Sequence, residues 1–203
     1  MLWDKNYKTA VNHYKNLVAA NPENFACILD YANTLTNLKR HREALEYIEM
    51  ASRIKPEDTN AKTSKKYIQL AYADTKAKKG EFDEAQKTLT NNLVLFPNDR
   101  ETLKAKANYY ERVKKYKKAE ELLKNLATST SDSIKMYHKM TWLYHLRRKH
   151  KKAEKPSVLG FGMIQADIDS VLQKEMKEMH IRALIWNGSY KKAATLLSKE
   201  TDT

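Results

Sequence analysis

With 203 residues, 41% of them apolar and 31% charged, the chain can bury a core and stay in water, and four glycines and four prolines beside abundant Ala, Leu, Lys, Glu and Tyr favour helix over strand. No run approaches the roughly eighteen apolar residues of a membrane span, the opening MLWDKNYKTA lacks the apolar core of a signal peptide, and one cysteine, Cys27, excludes an internal disulfide and a cysteine-built zinc site. The net charge of +13 asks for an anionic partner or a solvated face. The composition favours the cytoplasm, although a periplasmic segment of a longer chain would have the same one.

Three of the four prolines close similar words: AANPEN at Pro22, RIKPED at Pro56 and LFPND at Pro97, the first two 34 residues apart and the third 41 further on. Twelve residues before each stands an alanine (Ala10, Ala44, Ala85), and three before that a ring (Tyr7, His41, Phe82). Ring and alanine recur without the proline at Tyr116 and Ala119, His150 and Ala153, and Tyr190 and Ala193. Small residues Ala32, Ala73, Ala107 and Thr141 and turn glycines Gly80 and Gly188 complete the pattern.

The pattern resembles the tetratricopeptide repeat, a unit of two antiparallel helices, A and B, in about 34 residues. The resemblance covers residues 4–153 closely and 174–200 loosely. It implies an all-α fold, a right-handed α-solenoid of antiparallel helix pairs spanning residues 1–203 as one domain. Small residues let helices approach, the ring fills the wedge between neighbours, and proline ends helix B.

In chain order, residues 4–24 read as a half repeat, a lone helix B whose flank, with Trp3 and Tyr7, wants another chain or a preceding segment. Residues 25–58, 66–99 and 100–133 read as full repeats. The intervening TNAKTSK lengthens the helix A that follows by about two turns. Residues 134–173 form a degenerate repeat and 174–203 another.

The irregularity is expected in EKPSVLGFGMIQADIDS, residues 154–170. Pro156 falls inside helix B and is expected to break it, Gly160 and Gly162 weaken any resumption, and a helix restarting near Gly162 or Met163 is expected to run unbroken into the next helix A. The stretch is not a phosphate loop: Gln165 stands where a third glycine belongs, and no strand pattern precedes it.

No constellation for catalysis or for a cofactor is present. His138 and His145 lie two turns apart with His150 beyond, but no acidic residue at a matching spacing completes a metal site. The resemblance instead implies a ligand groove lined by helix A. The family's contact positions fall here on Asn33 and Asn37, Tyr67 and Asp74, Lys104, Asn108 and Arg112, and His138, Trp142 and His145. Lys104 and Asn108 match the start of the family's clamp for C-terminal carboxylates, but Lys139 replaces the next asparagine, and Glu175 and Met179 replace the final basic pair, so the clamp is incomplete.

Residues 100–155 hold 17 Lys and Arg against 6 Asp and Glu, a net of +11. The cations cluster in the A-to-B turns, as Lys114, Lys115, Lys117 and Lys118 and as Arg147, Arg148, Lys149, Lys151 and Lys152, and predict a basic ridge. The leading expectation is a non-catalytic scaffold for a protein or peptide, an acidic one fitting the ridge. The alternative is a polyanion- or polysaccharide-binding segment. Sequence-specific nucleic-acid recognition lacks any signature.

Overall fold

Each ring that closes an A-to-B turn does open a helix in the computed structural model, which describes residues 2–127, 129–165 and 167–201, with side chains from residue 9 to residue 198. Among these residues there are eleven α-helices and no strand: α1 Leu2–Ala20, α2 Phe25–Asn37, α3 His41–Ile54, α4 Thr59–Lys78, α5 Phe82–Leu95, α6 Arg100–Arg112, α7 Tyr116–Leu126, α8 Thr130–Leu146, α9 His150–Gly162, α10 Ser170–Trp186 and α11 Tyr190–Thr201. In the labelling of the repeat, even-numbered helices from α2 are A helices, each followed by a B partner, and α1 precedes the first of these pairs. Helix α4 has 20 residues against 13 in α2, so the seven inserted residues do extend it. Trp3 and Tyr7 fall where side chains are not described.

Local chemistry sets the boundaries. Every A helix starts on a side chain that accepts a backbone N–H of its first turn: Asn24 from Cys27, Asp58 from Ala61, Asp99 from Thr102, Ser129 from Asp132 and Asp169 from Leu172. Every A-to-B turn uses one left-handed residue, at Lys39, Gly80, Lys114, Arg148 and Gly188, with φ between 53° and 82°. The next residue's N–H reaches back to a carbonyl five positions earlier, as Arg40 does to Leu35 and Lys115 to Tyr110, a Schellman closure.

Three of these five turns put a lysine or arginine where only glycine is unstrained. Lys39→Gly, Lys114→Gly and Arg148→Gly are therefore each expected to raise unfolding free energy by about 0.5–1 kcal/mol. Urea titrations of the single variants check this, and unchanged or lower midpoints contradict it.

The chain divides into two compact units, Met1–Tyr109 and Tyr110–Thr203. In the first, Ile28, Leu35, Ile48 and Ile68 are fully buried, with Ala32 and Ala44 where the repeat needs small side chains. Asn92, buried on α5, donates Nδ2 to the Lys66 carbonyl at 3.1 Å, and Lys66 Nζ meets Asp99 at 2.9 Å. In the second, Ile134, Leu172, Met176 and Met179 form one buried cluster with Ile168. Ala119, Ala153 and Ala193 are buried at the equivalent B-helix position.

The second unit corrects the expected break. Helix α9 runs through Pro156 to Gly162, and α10 begins only at Ser170, with residues 163–165 and 167–169 outside any helix. Pro156 has no N–H for the Lys152 carbonyl, but tertiary packing outweighs that loss. Ala153, Pro156, Ser157 and Gly160, spaced three and four apart, are all buried and make a small-residue stripe against α8 and α10. A Cβ on Gly160 would lie 2.7 Å from Met176 Sδ and 2.9 Å from Tyr137 Cβ, so this glycine is a point of close helix approach. The expected continuous helix fails because the Asp169 cap starts α10, while Gln173 Nε2 donates to the carbonyls of Ile168 at 2.7 Å and Gln165 at 3.2 Å.

Candidate functional site

In the first unit, helix A presents its predicted contact residues in rows at helical spacing. Asn33 is half-buried and Asn37, one turn on, is exposed. On α4, which packs against α2, the Tyr67 ring is 51% exposed with Lys66 Nζ 4.8 Å from its centre. Asp74, two turns further, pairs with Lys78. Asn108 is exposed, but Lys104 Nζ is held 3.0 Å from Glu101, so the first cation of the incomplete carboxylate clamp is already paired.

In the second unit, the predicted contact residues of α8 are all rings. Trp142 is half-buried, and its indole N–H donates to Glu111 Oε1 at 3.0 Å, while Lys139 binds the other oxygen of that carboxylate. The Trp142 ring centre lies 5.4 Å from that of His145 and 6.5 Å from that of Trp186. His145 and Trp186 stack at 3.7 Å and 17°, with the His150 ring 5.2 Å from His145. The cluster thus brings Trp142 and His145 together with two rings not among the predicted ligand residues. The sequence did carry a signal for Trp186: it stands two residues before the turn residue Gly188, as the contact residues Asn37 and Arg112 stand two before the turn residues Lys39 and Lys114. His138 is half-buried one turn from Trp142, and Arg112 is exposed at the end of α6.

The predicted cationic residues gather in two hollows of this unit. Lys114, Lys115, Lys117 and Lys118 surround Tyr116 together with Arg147 in one of about 450 Å³. Arg148, Lys149, Lys151 and Lys152 border His150 and Trp186 in one of about 590 Å³. Lys118 Nζ lies 5.8 Å from the Tyr110 ring centre and the Arg147 guanidinium 5.6 Å from that of Tyr144.

One pair looks catalytic and is not. Ser157 Oγ lies 3.0 Å from His180 Nδ1, but Ser157 is fully buried, and Oγ also contacts the Glu154 carbonyl at 2.7 Å. The hydroxyl proton goes to that carbonyl, so His180 Nδ1–H donates to Oγ, opposite to what a general base requires. Phe161 stacks on the imidazole at 4.8 Å. The pair is a satisfied polar contact between α9 and α10. Among the described residues no three His, Cys, Asp or Glu side chains form a metal-binding group, and no helix is long and apolar enough to cross a membrane.

Burial holds His41, His138, His145 and His180 below the ordinary histidine pKa, with the neighbouring His150 adding to the effect at His145. Folded-state values below the unfolded one mean that stability is fully present above the unfolded pKa of about 6.5 and is lost as pH falls through the folded values. The calorimetric unfolding midpoint is expected to drop between about pH 7 and about pH 5, before carboxylates protonate. A flat profile over that window contradicts this reading.

Residues 2–66 match the sequence profile of the tetratricopeptide repeat family. No curated protein matches the chain by sequence. Among solved structures, BtubC (BKLC) from P. vanneervenii is 12% identical, with 98% of this chain and 88% of that one covered at a TM-score of 0.65. Kinesin light chain nearly identical TPR-like repeats from Podosopora anserina are 17% identical, covering 88% and 93% at 0.60. YrrB, described as a TPR protein with an unusual peptide-binding site, is 12% identical, covering 93% and 91% at 0.56. Residues 2–66 thus match the tetratricopeptide repeat by sequence, and nearly the whole chain is similar in fold to solved structures of such repeats.

Proposed function

We propose that the protein is a non-catalytic scaffold that holds a peptide or extended protein segment against its A helices. The observation that carries this reading is the aromatic run Trp142, His145 and Trp186 on the packed helices α8 and α10, partly open to solvent at the repeat's contact positions and bordered by cations. Planar rings with little rotamer entropy to lose are effective peptide anchors. The exposed Tyr67 and Asn37 offer the same kind of contact on α4 and α2. Fold alone does not name the partner.

A peptide selected from a random display library is the direct test. Trp142→Ala also breaks the hydrogen bond to Glu111, so the more interpretable substitutions are at exposed Tyr67 and Asn37. Tyr67→Ala or Asn37→Ala is expected to weaken a selected peptide that contacts the first unit by about tenfold with an unchanged melting curve. Failure to select any peptide contradicts the proposal.

A second reading rests on the hollow of Lys114, Lys115, Lys117, Lys118 and Arg147, a density of cations suited to a polyanion. Late elution from heparin that vanishes when the four lysines become Glu supports it. Elution at low salt removes it.

A further inference from the structure

A concavity of about 610 Å³ opens between α7 and α9 with α8 as its floor. The floor is apolar, from Tyr137 and Met140 on α8 and from Leu159 on α9, which remains 41% exposed. The mouth carries Lys124 from α7 and Lys151, Lys152 and Lys155 from α9, all exposed. At 100° per residue, Tyr137, Met140 and Tyr144 point roughly 130° around α8 from His138, Trp142 and His145. The floor of the hollow therefore faces away from the aromatic run of the A helices, and only Lys151 and Lys152 border both.

Two features set this lysine group apart from a merely solvated face. Lys124 pairs with Glu120 at 2.9 Å, but among the described residues no ion pair engages Lys151, Lys152 or Lys155. Lys151 and Lys152 also occupy the first turn of α9, the end at which the helix dipole disfavours cations. Helix electrostatics thus opposes this placement, and Lys151 and Lys155, one turn apart, repel each other.

We propose that this groove binds an acidic peptide segment carrying one bulky apolar side chain. The side chain seats on Tyr137, Met140 and Leu159, where flexible methionine adapts to its shape, and the flanking carboxylates meet Lys151, Lys152 and Lys155 in charge-assisted hydrogen bonds. The volume lies within the range of small ligand pockets, about 300–1,000 Å³. A nucleic acid would use the lysines and leave the floor empty. A bilayer would need its apolar contacts to protrude, whereas Met140 is buried below the lysine heads.

The probe is a short fluorescein-labelled peptide with a central tryptophan flanked by glutamates, titrated into the full chain at low salt and followed by anisotropy. Saturable binding is expected, weakened about tenfold or more by Lys151→Glu with Lys155→Glu, by Leu159→Asp, and by replacing the peptide's tryptophan with serine. These protein positions are exposed, and circular dichroism verifies that the variants stay folded. The Leu159→Asp effect, at a residue of this hollow that does not line the one beside Trp186, separates this binding from the A-helix proposal, and Tyr67→Ala leaves it unchanged. Absence of binding, equal binding by the tryptophan-free peptide, or indifference to either protein variant overturns the proposal. So does binding to phosphatidylserine vesicles without binding to the peptide, which would assign the lysines to a membrane surface.

Discussion

Gly160→Val is expected to lower unfolding free energy by about 2–3 kcal/mol, whereas Gly162→Ala, two residues away, is expected to raise it by a few tenths up to about 1 kcal/mol. A Cβ at Gly160 meets Tyr137 Cβ at 2.9 Å, a rigid position, as well as the more yielding Met176 sulfur at 2.7 Å, while one at Gly162 meets nothing within 4 Å. The same residue type in one helix thus carries opposite expectations. Urea or thermal titrations of the two variants decide the matter. Equal effects would contradict the close packing of α9 against α8 and α10.

Glu120→Ala is expected to cost about 2–3 kcal/mol. The carboxylate joins α7 to α8, accepting from the Tyr144 hydroxyl at 2.7 Å and from Arg147 Nη1 at 3.2 Å, with Lys124 at 2.9 Å. Its side chain is 15% exposed and that of Arg147 is 14%, so removing the acceptor leaves two poorly hydrated donors. Tyr144→Phe, which removes one donor and keeps the charge pair, is expected to cost about 1 kcal/mol, and the double variant less than the sum.

The pH dependence has a definite sign. Burial by itself would raise the Glu120 pKa, but hydrogen bonds from Lys124 and Tyr144 outweigh it and hold the carboxyl below the ordinary range. Its stabilisation is therefore present above the unfolded carboxylate pKa of about 4.3 and lost as pH falls through the folded value. The difference between wild type and Glu120→Ala should shrink in acid. Burial, then the bond to Glu120, pushes the Tyr144 phenol to about 12, so it remains a donor throughout that range. A difference independent of pH would contradict the role of the carboxylate.

The repeat signature was legible because it reports packing that recurs in every unit. A small residue at each close approach and a ring opening helix B gave the helices, and the inserted TNAKTSK gave the length of α4. Pro156 and Gly160 misled because their local helix preferences were weighed alone. With Ala153 and Ser157 they form a buried stripe whose tertiary packing outweighs those preferences. Asp169 was visible as a cap ahead of the apolar period of α10, but the apolar spacing from Ile164 onward hid it.

Of the candidate site, Trp142 and His145 were legible from the family's contact positions, and the turn cations from the clustering of charge in residues 100–155. The sixth repeat's Trp186 was missed because its repeat matches only loosely. The lysine-rimmed groove had no signature, since it joins residues of three helices from Lys124 to Leu159 that share no spacing.

The central claim is that helix A is the binding face. The most direct measurement is a backbone amide chemical-shift map of the isotope-labelled chain with a library-selected peptide. Shifts are expected along α2 and α4 around Asn37 and Tyr67, or along α8 and α10 around His145 and Trp186. Shifts confined to the B helices, or to the turns carrying Lys114 and Arg148, would contradict the account.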